Sequence, residues 1–297
     1  MPDMSLRSHG WIGWLLVLPA TLYLALFSLA PMLLSGWLSL HDWHLLKPNR
    51  SFVGFDNYVT LAADPFFRNA LWNSLRFALL AVPLSVLSAL LVAALICRPR
   101  PGIGVFRTLF FAPAVSSQAA LAMIWVWIFL PNVGLVNSVL GAFGIPNDTD
   151  FLSQPAWALP AMVLLFAWIG LGPRMVLFLA GLQAIPESLH EAAALDGADR
   201  WQRFRHLTLP LLLPTTLFVA VTSTIASFQF FTPIYMITRG GPRRSTDLVA
   251  YHIYSEAWTR FEIGSAAAQT FVLFAVILVL AALQLLLLRR GLSGADS

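Results

Sequence analysis

Residues 71 to 96 read LWNSLRFALLAVPLSVLSALLVAALI, and this stretch decides the class of the fold. An α-helix crosses the hydrocarbon core of a bilayer with about 20 mostly apolar residues, and this stretch is long and apolar enough to do so. Its one charged residue, Arg76, stands near one end, where a long side chain reaches the interface with water. The stretch therefore predicts a membrane-spanning helix.

Five further stretches have the same character, and the composition of the whole chain agrees with them. Of its 297 residues, 58% are hydrophobic and only 11% are charged, whereas about 25% of the residues of a soluble domain are charged. We therefore predict an all-α integral membrane protein with a single transmembrane domain over residues 1–297. Its six predicted spans are Trp11–Leu38, Leu71–Ile96, Thr108–Leu130, Leu159–Leu182, Leu211–Ile237 and Ser265–Leu288.

The first predicted span resembles a signal peptide only in its position. Its apolar part is too long and it has no convincing small-residue cleavage site, so we expect it to be retained as a helix. Pro19 and Pro31 lie within it, and we expect them to bend it, because proline removes a backbone hydrogen bond.

The orientation is predicted from the basic residues between the spans, because cytoplasmic loops carry the excess of Lys and Arg. Three arginines lie between spans two and three, whereas only Asp148 and Asp150 are charged between spans three and four. This contrast places the segment between spans two and three, and both termini, in the cytoplasm. Arg7, Arg98, Arg100, Arg107, Arg200, Arg203, Arg205, Arg289 and Arg290 then lie inside, and Lys47, Arg50, Arg68, Arg239, Arg243, Arg244 and Arg260 lie outside.

Several kinds of chemistry find no support in the sequence. The formal charge of +4 comes from residues between apolar segments, so nucleic-acid binding is not expected. With Cys97 as the one cysteine there is no disulfide, and His41 and His44 are expected to have interfacial roles without a metal. The one lysine, Lys47, is not part of a phosphate-binding loop. We therefore predict no catalytic residue and no cofactor bound by this chain, and ATP-driven transport would need a separate ATPase.

The segment from residue 186 to 208, between spans four and five, predicts a short surface helix followed by a second helix from Trp201 to Leu207. Pro186 suits a first helical position, three alanines favour a helix, and Gly197 suits a left-handed C-terminal cap. Leu189 and Leu195 are candidate anchors in a groove, and Glu191 is a candidate for a charged contact. From the residues alone, docking on a partner and a solvated connector are about equally favoured.

The same segment resembles the EAA loop of binding-protein-dependent ABC importer permeases. The resemblance rests on Glu191-Ala192-Ala193-x-x-Asp196-Gly197-Ala198, followed by Phe204, Leu207, Leu209-Pro210 and Pro214. Further stretches are similar to the carbohydrate branch of the family, which includes maltose-type and glycerol-phosphate-type permeases. They are Phe52–Tyr58, Phe106–Pro113, Phe178–Pro186 and Gly240-Gly241-Pro242 with Thr246.

The resemblance implies a permease subunit of the bacterial cytoplasmic (inner) membrane. Its expected partners are a second, non-identical permease, a cytoplasmic ABC ATPase dimer that binds ATP and Mg, and an extracytoplasmic solute-binding protein. The resemblance also implies that a coupling helix docks on the ATPase. The residues carried over to that role are Glu191, Ala192, Ala193, Leu195, Asp196 and Gly197. A sugar, an amino sugar, a polyol and glycerol phosphate all remain open as solutes.

Polar residues inside spans four and five mark a candidate pathway for the solute, because lipid-facing positions are apolar. Ser223, Ser227 and Phe230 are spaced to share one helical face, and hydroxyls beside an aromatic ring suit a sugar. Gln229 is a further polar residue of span five. Packing between helices is the alternative. The resemblance implies solute contacts on this face and at the turn around Gly170.

Span four contains Trp168-Ile169-Gly170-Leu171-Gly172-Pro173-Arg174, which predicts a weakened helix at membrane depth. Broken helices are tolerated there when they line a cavity. Arg174 needs water, a carboxylate, carbonyl groups or an anionic solute. Structural pairing and direct contact with the solute are both open.

Two other classes of protein were weighed. A secondary transporter driven by an ion gradient usually has an intramembrane Asp or Glu, and the six predicted spans contain neither. A membrane-embedded enzyme would need a catalytic constellation such as Gly-x-Ser-x-Gly or His-Glu-x-x-His, and the sequence has neither motif. Neighbouring genes for an ATPase, a second permease and a binding protein would favour the importer.

Overall fold

The structure is a computed structural model that describes residues 10–47, 50–97, 101–146 and 148–293, with side chains from 14 to 286 within those ranges. The chain is mostly helical. In chain order the helices are α1 (Gly10–Leu24), α2 (Ala30–Leu38), α3 (Asp56–Ala63), α4 (Pro65–Ile96), α5 (Ile103–Val115), α6 (Gln118–Ile128), α7 (Leu135–Ala142), α8 (Pro155–Ile169), α9 (Leu171–Gln183), α10 (Glu187–Leu195), α11 (Arg200–Arg203), α12 (Leu209–Leu211), α13 (Leu213–Phe228), α14 (Val249–Trp258) and α15 (Ile263–Ser293).

The remaining regular structure consists of π-helical segments and one hairpin. The π-helical segments are Ala25–Leu29, Phe204–Thr208 and Ile234–Thr238. The antiparallel hairpin pairs β1 (His41–Trp43) with β2 (Arg50–Phe52). The first π-helical segment joins α1 to α2 just before Pro31, which has no amide hydrogen for the helical ladder.

The helices that are long and apolar enough to cross a membrane agree with the first, second and sixth predicted spans. Within the described residues they are Trp14–Leu38, Pro65–Ile96 and Ile263–Leu286. The other candidates are bent pairs: α5 with α6 at 106°, α8 with α9 at 51°, and Arg200–Leu211 with α13 at 63°. The described residues therefore contain 3 continuous spans, or up to 6 if each pair crosses once, and the count of six remains a prediction.

Two of the three breaks have a local cause in the sequence. Gly170 leaves the helical region between α8 and α9. Pro214 lacks an amide hydrogen for the helical ladder and lies in the first turn of α13, which begins anew at Leu213. Between α5 and α6, Ser116 and Ser117 are extended.

The sequence analysis placed one helix over residues 211–237, and the structure differs. Helix α13 ends at Phe228, and Gln229 caps it outside the helical region. Phe230 and Phe231 have no helical assignment, and helical backbone resumes at Thr232 and Pro233. The π-helical segment Ile234–Thr238 follows. Residues 229–231 therefore interrupt the predicted fifth span.

The chain divides into two compact units, and one of them holds the principal core. It comprises Asp64–His252 and the residues from Leu273 onward. In it α4 packs against α8, α9 and α13. Its packing face consists of fully buried small side chains, which let neighbouring helices approach closely. They are Ala70, Ser74, Ala81, Ser85, Ala89 and Ala93.

The other unit comprises the residues up to Ala63 and Ile253–Val272. Its hairpin is fixed by the side-chain amide of Asn57, which donates hydrogen bonds to the carbonyls of Ser39 and His41 at 2.8 and 3.0 Å. The hydroxyl of Tyr58 donates to that of Ser39 at 2.8 Å. The hairpin is thereby held against α3 within this unit.

The predicted orientation rests partly on residues whose structure is not described. Arg7, Arg98 and Arg100 lie outside the described residues, and only the backbone of Arg289 and Arg290 is described, as part of α15. Arg107 donates a hydrogen bond from Nη2 to the carbonyl of Ile96 at 3.3 Å. The orientation therefore stays a prediction.

Candidate functional site

The predicted surface helix is present as α10. Pro186 has extended geometry and is the N-cap of α10, whereas the sequence predicts it at the first helical position. Glu187 is in the first turn. Its carboxylate lies at the positive end of the helix dipole, where a negative charge stabilises the helix. None of the described residues of α10 is buried, so the helix stands on the surface of its unit.

Gly197 ends α10 in the way that the sequence predicts. It has a φ of +82°, and the amide of Ala198 donates to the carbonyl of Ala193 at 2.9 Å. This is the Schellman arrangement, in which a glycine in the left-handed region closes the helix. Nothing lies within 4 Å of the position of a Cβ on Gly197, so the glycine meets a backbone requirement and not a packing one.

The apolar side chains of α10 face outward. Leu195 is 90% exposed and Leu189 is 41% exposed, while Glu191 and Ala192 beside them are also exposed. Leu195 keeps nearly all of its contact with water, so covering it would stabilise a complex. The structure places the predicted coupling residues Glu191 to Leu195 on α10 and Asp196 and Gly197 in its C-terminal cap, and of these only Ala193 is half-buried.

The second predicted helix is present and extends past both ends of the segment from Trp201 to Leu207. It consists of α11 and the π-helical segment after it, and it begins with a capping box in which Asp199 and Gln202 each accept from the backbone amide of the other at 2.8 Å. Nη1 of Arg203 donates to the carbonyl of His190 at 3.4 Å. This contact joins α11 to α10.

A groove of about 640 Å³ separates α10 from the ends of α4 and α9. Both charge signs line it, with Glu187 and Glu191 on α10 and Arg200 and Arg203 on α11. The groove leaves part of α10 unsupported by its own chain, so a partner has access to more than one side of the helix.

The break between α8 and α9 positions Arg174, which is 8% exposed. Its Nε donates to the hydroxyl of Ser223 on α13 at 2.8 Å, and its guanidinium lies 4.7 Å from the centre of the Phe166 ring. The Cβ of any larger residue at position 170 would overlap Nη1 of Arg174. Gly170 therefore allows both the break and the position of the arginine.

A cavity of about 340 Å³ opens beside this arginine. Of the predicted pathway residues, Gly170, Arg174, Gln229 and Phe230 line it. Phe166 and Phe230 form an edge-to-face pair with ring centres 5.3 Å apart. The remaining lining residues are Ala114, Gln118, Ile169, Pro173 and Ala226.

The other predicted pathway residues do not line this cavity. Ser227 is fully buried and its hydroxyl donates to the carbonyl of Thr224 at 2.7 Å. Ser223 accepts from Arg174 instead of facing open space, and Trp168 packs against Trp125 with ring centres 5.6 Å apart. Phe230 lies beyond the end of α13, so the expectation that it shares a helical face with the two serines is wrong.

A buried polar cluster was missed by the sequence analysis. Asp247 and His252 are 4% and 3% exposed, and Oδ2 of Asp247 lies 3.2 Å from Nδ1 of His252. The side-chain amide of Asn73 on α4 donates to the carbonyls of Arg244 and Asp247 at 2.8 and 3.3 Å. The cluster holds the segment before α14 to the beginning of α4. Only the sequence Gly240-Gly241-Pro242 with Thr246 marked this region in advance.

Comparison with known proteins decides the family. Residues 60–291 match the family described as binding-protein-dependent transport system inner membrane component. The chain belongs to this family. As a member of this permease family it is a membrane component of an ABC transport system, which agrees with the apolar helices described above.

Relatives of this permease cover almost its whole length. The lactose transport system permease protein of Rhizobium radiobacter is 37% identical over 286 residues, which are 94% of each chain. The sn-glycerol-3-phosphate transport system permease protein of Salmonella typhimurium is 33% identical over 275 residues, which are 92% of each chain. The named relatives are thus permeases for a sugar and for a sugar-related phosphate.

Solved structures show the same fold for this permease. A chain of a bacterial alginate ABC transporter, crystallised with an alginate pentasaccharide-bound periplasmic protein, superposes with a TM-score of 0.82 at 24% identity over 95% of each chain. A chain of an amino acid ABC transporter reaches a TM-score of 0.51 at 17% identity, over 79% of this chain and 98% of that chain. The permease therefore has the fold of ABC importer membrane chains.

Proposed function

We propose that this chain is the permease subunit of an ATP-driven importer of a sugar or a related solute. A second, non-identical permease completes the membrane part, and a cytoplasmic ATPase dimer drives it. An extracytoplasmic binding protein delivers the solute. The family and the names of the relatives support the class of solute, and the choice among sugar, amino sugar, polyol and glycerol phosphate stays open.

The observation that carries this proposal is the exposed, capped helix α10. It presents an uncovered leucine and a carboxylate to the outside of the chain. A short amphipathic helix of this kind suits a groove on a partner, with the leucine as the apolar anchor and Glu191 as the charged contact. The resemblance of Glu191–Ala198 to the EAA loop supports the ATPase as that partner.

Helix α9 connects α10 to the candidate solute cavity. Only residues 184–186 separate α9 from α10, and the other end of α9 carries the Gly170 break and Arg174. Closure of the ATPase dimer displaces α10, and α9 transmits that displacement to the residues that line the cavity. The permease then alternates between two arrangements, with the solute held in one of them.

The direct test is a charge reversal on α10. In the Glu191→Lys variant a cation replaces the carboxylate at the partner contact, and such a reversal at a desolvated contact costs about 2–5 kcal/mol. We expect at least a tenfold loss of ATP hydrolysis that copurifies with the tagged full-length chain. The ATPase is recognised by its own Gly-Lys-Ser/Thr phosphate-binding segment.

Asp148→Lys is the matched control, because it reverses a charge on an exposed loop that is predicted to lie on the other side of the membrane. It should retain the copurifying hydrolysis. Full assembly and uptake in Glu191→Lys would contradict the proposal. Uptake that stops with a protonophore but continues after ATP depletion would favour the alternative, an ion-gradient-driven secondary transporter.

A further inference from the structure

The strongest unassigned feature is a cation at the wall of the cavity. Arg174 is more than nine-tenths buried, and the ion pairs among the described residues do not include it. Its Nε bonds to Ser223, but Nη1 is buried without a hydrogen-bond partner. A buried guanidinium with unsatisfied donors is unfavourable unless an acceptor reaches it, and the described residues supply none to Nη1.

The position of the guanidinium is fixed by three contacts, and this makes it suitable for recognition. Ser223 holds Nε from α13, the Phe166 ring lies against one face, and Gly170 leaves room for Nη1. A guanidinium has planar donors that match the two oxygens of a carboxylate or the oxygens of a phosphate. Because its orientation is already set, little side-chain freedom is lost on binding.

The rest of the cavity suits the body of a sugar. Phe166 and Phe230 offer apolar ring surface, and the amide groups of Gln118 and Gln229 offer donors and acceptors for hydroxyls. At about 340 Å³ the cavity lies within the range of sites for small molecules. The cavity thus combines apolar surface, amide groups and one uncompensated cation. This combination suits an acidic, polyhydroxylated ligand.

We infer that the solute carries an oxyanion, a carboxylate or a phosphate on a sugar-like body, which pairs with Arg174 in this cavity. The inference rests on the proposed function and narrows it from sugars in general to acidic ones. The oxyanion supplies the acceptor that the described part of the chain does not offer, and the aromatic pair and the glutamine amides bind the remainder.

The test compares galactose, galacturonate and galactose 6-phosphate, which share one ring and differ in the group on carbon 6. Each is titrated at constant ionic strength into the membrane complex purified through the full-length chain. Affinity is read from the concentration-dependent rise of the thermal midpoint. We expect at least one acidic probe to bind about tenfold or more tightly than galactose, and the stronger of the two acids distinguishes carboxylate from phosphate.

Two variants separate recognition from structure. Arg174→Gln should remove the preference for the acidic probe while the affinity for galactose stays the same. Arg174→Lys, which keeps the positive charge, should retain part of that preference. Arg76→Gln is the matched control, since Arg76 contacts the Trp72 ring and does not line the cavity. It should bind all three probes as the wild type does.

Three outcomes would overturn the inference. The first is a wild-type complex that hydrolyses ATP but binds galactose and both acids equally, or binds none of the three. The second is a parallel loss of all binding in Arg174→Gln. The third is the loss of the second permease from the Arg174→Gln complex, which would make Arg174 a contact between subunits. A complex without any ATPase would instead refute the proposed function.

Discussion

At the residue scale, glycines determine how closely the helices around the cavity approach each other. Gly170 makes room for the Arg174 guanidinium, and Gly172 touches the backbone of α5, because a Cβ there would overlap the carbonyl of Phe110 and the Cα of Phe111. A side-chain tip moves at small cost, whereas a backbone in a packed core moves at a larger one. Gly170 lies about one turn before Arg174 and Gly172 about half a turn before it, and the two glycines serve different purposes.

Gly172→Ala should therefore destabilise the chain, since the added methyl group pushes α5 away from α9. We expect a loss of about 1–3 kcal/mol in the free energy of unfolding, measured by thermal or denaturant unfolding in detergent. Gly104→Ala is the matched control on α5, where nothing lies within 4 Å of the new methyl group. It should be neutral or slightly stabilising, because alanine favours helix more than glycine does. Equal stability of the two variants would refute this account of the α5–α9 contact.

At the element scale, α10 depends on its C-terminal cap. The left-handed residue Gly197 lets the amide of Ala198 close the last turn. A β-branched side chain is strained at this φ by about 1–2 kcal/mol, whereas asparagine is tolerated there. An exposed helix with no buried residue of its own has little packing to offset that strain.

Gly197→Val should therefore fray the last turn of α10 and uncouple ATP hydrolysis from uptake, while Gly197→Asn retains coupling. Faster amide hydrogen exchange over residues 191–198 reports the fraying. Gly102→Val is the matched control, because Gly102 has a φ of +88° with nothing within 4 Å, at the N-cap of α5. It introduces the same strain away from α10. Uncoupling by both variants to the same degree would show that the effect is not specific to the coupling helix.

The scale of elements also shows what the sequence predicts well. Apolar length predicts the spans that α4 and α15 contain, and the Gly170 break and the Gly197 cap follow from local backbone preferences of glycine. The bend between α5 and α6 was missed, because Ser116 and Ser117 are neutral residues inside an apolar run. The end of α13 at Phe228 was missed as well, because residues 229–231 contain no glycine or proline that would mark an interruption.

Long-range contacts were beyond reach for a different reason. Ser223 lies 49 positions from Arg174 along the chain, and the sequence alone does not show which of the hydroxyls of span five meets the arginine. The partnership of Asp247 with His252 and of both with α4 likewise depends on the packed fold. The sequence therefore predicts which residues belong to the candidate site. It does not predict which of them line the cavity and which pack between helices.

At the scale of the whole molecule, we propose that a membrane permease is moved by a separate ATPase through one helix. The described residues contain up to 6 spans, α10 is exposed on its own unit, and residues 60–291 match a permease family of binding-protein-dependent systems. Both the orientation and the partner of α10 follow from this account and are open to experiment in the intact chain.

The most direct measurement is the rate at which a membrane-impermeant thiol reagent labels position 195. Leu195→Cys is made in a Cys97→Ser background, which removes the one native thiol, and Asp148→Cys in the same background is the control. The account predicts that Cys at 195 is labelled only from the cytoplasmic side. Its labelling should be slower while peripheral subunits are bound than after they are stripped. Cys at 148 should be labelled only from the outside, at a rate that stripping does not change. Labelling of position 195 from the outside, or at a rate that is indifferent to the peripheral subunits, would contradict it.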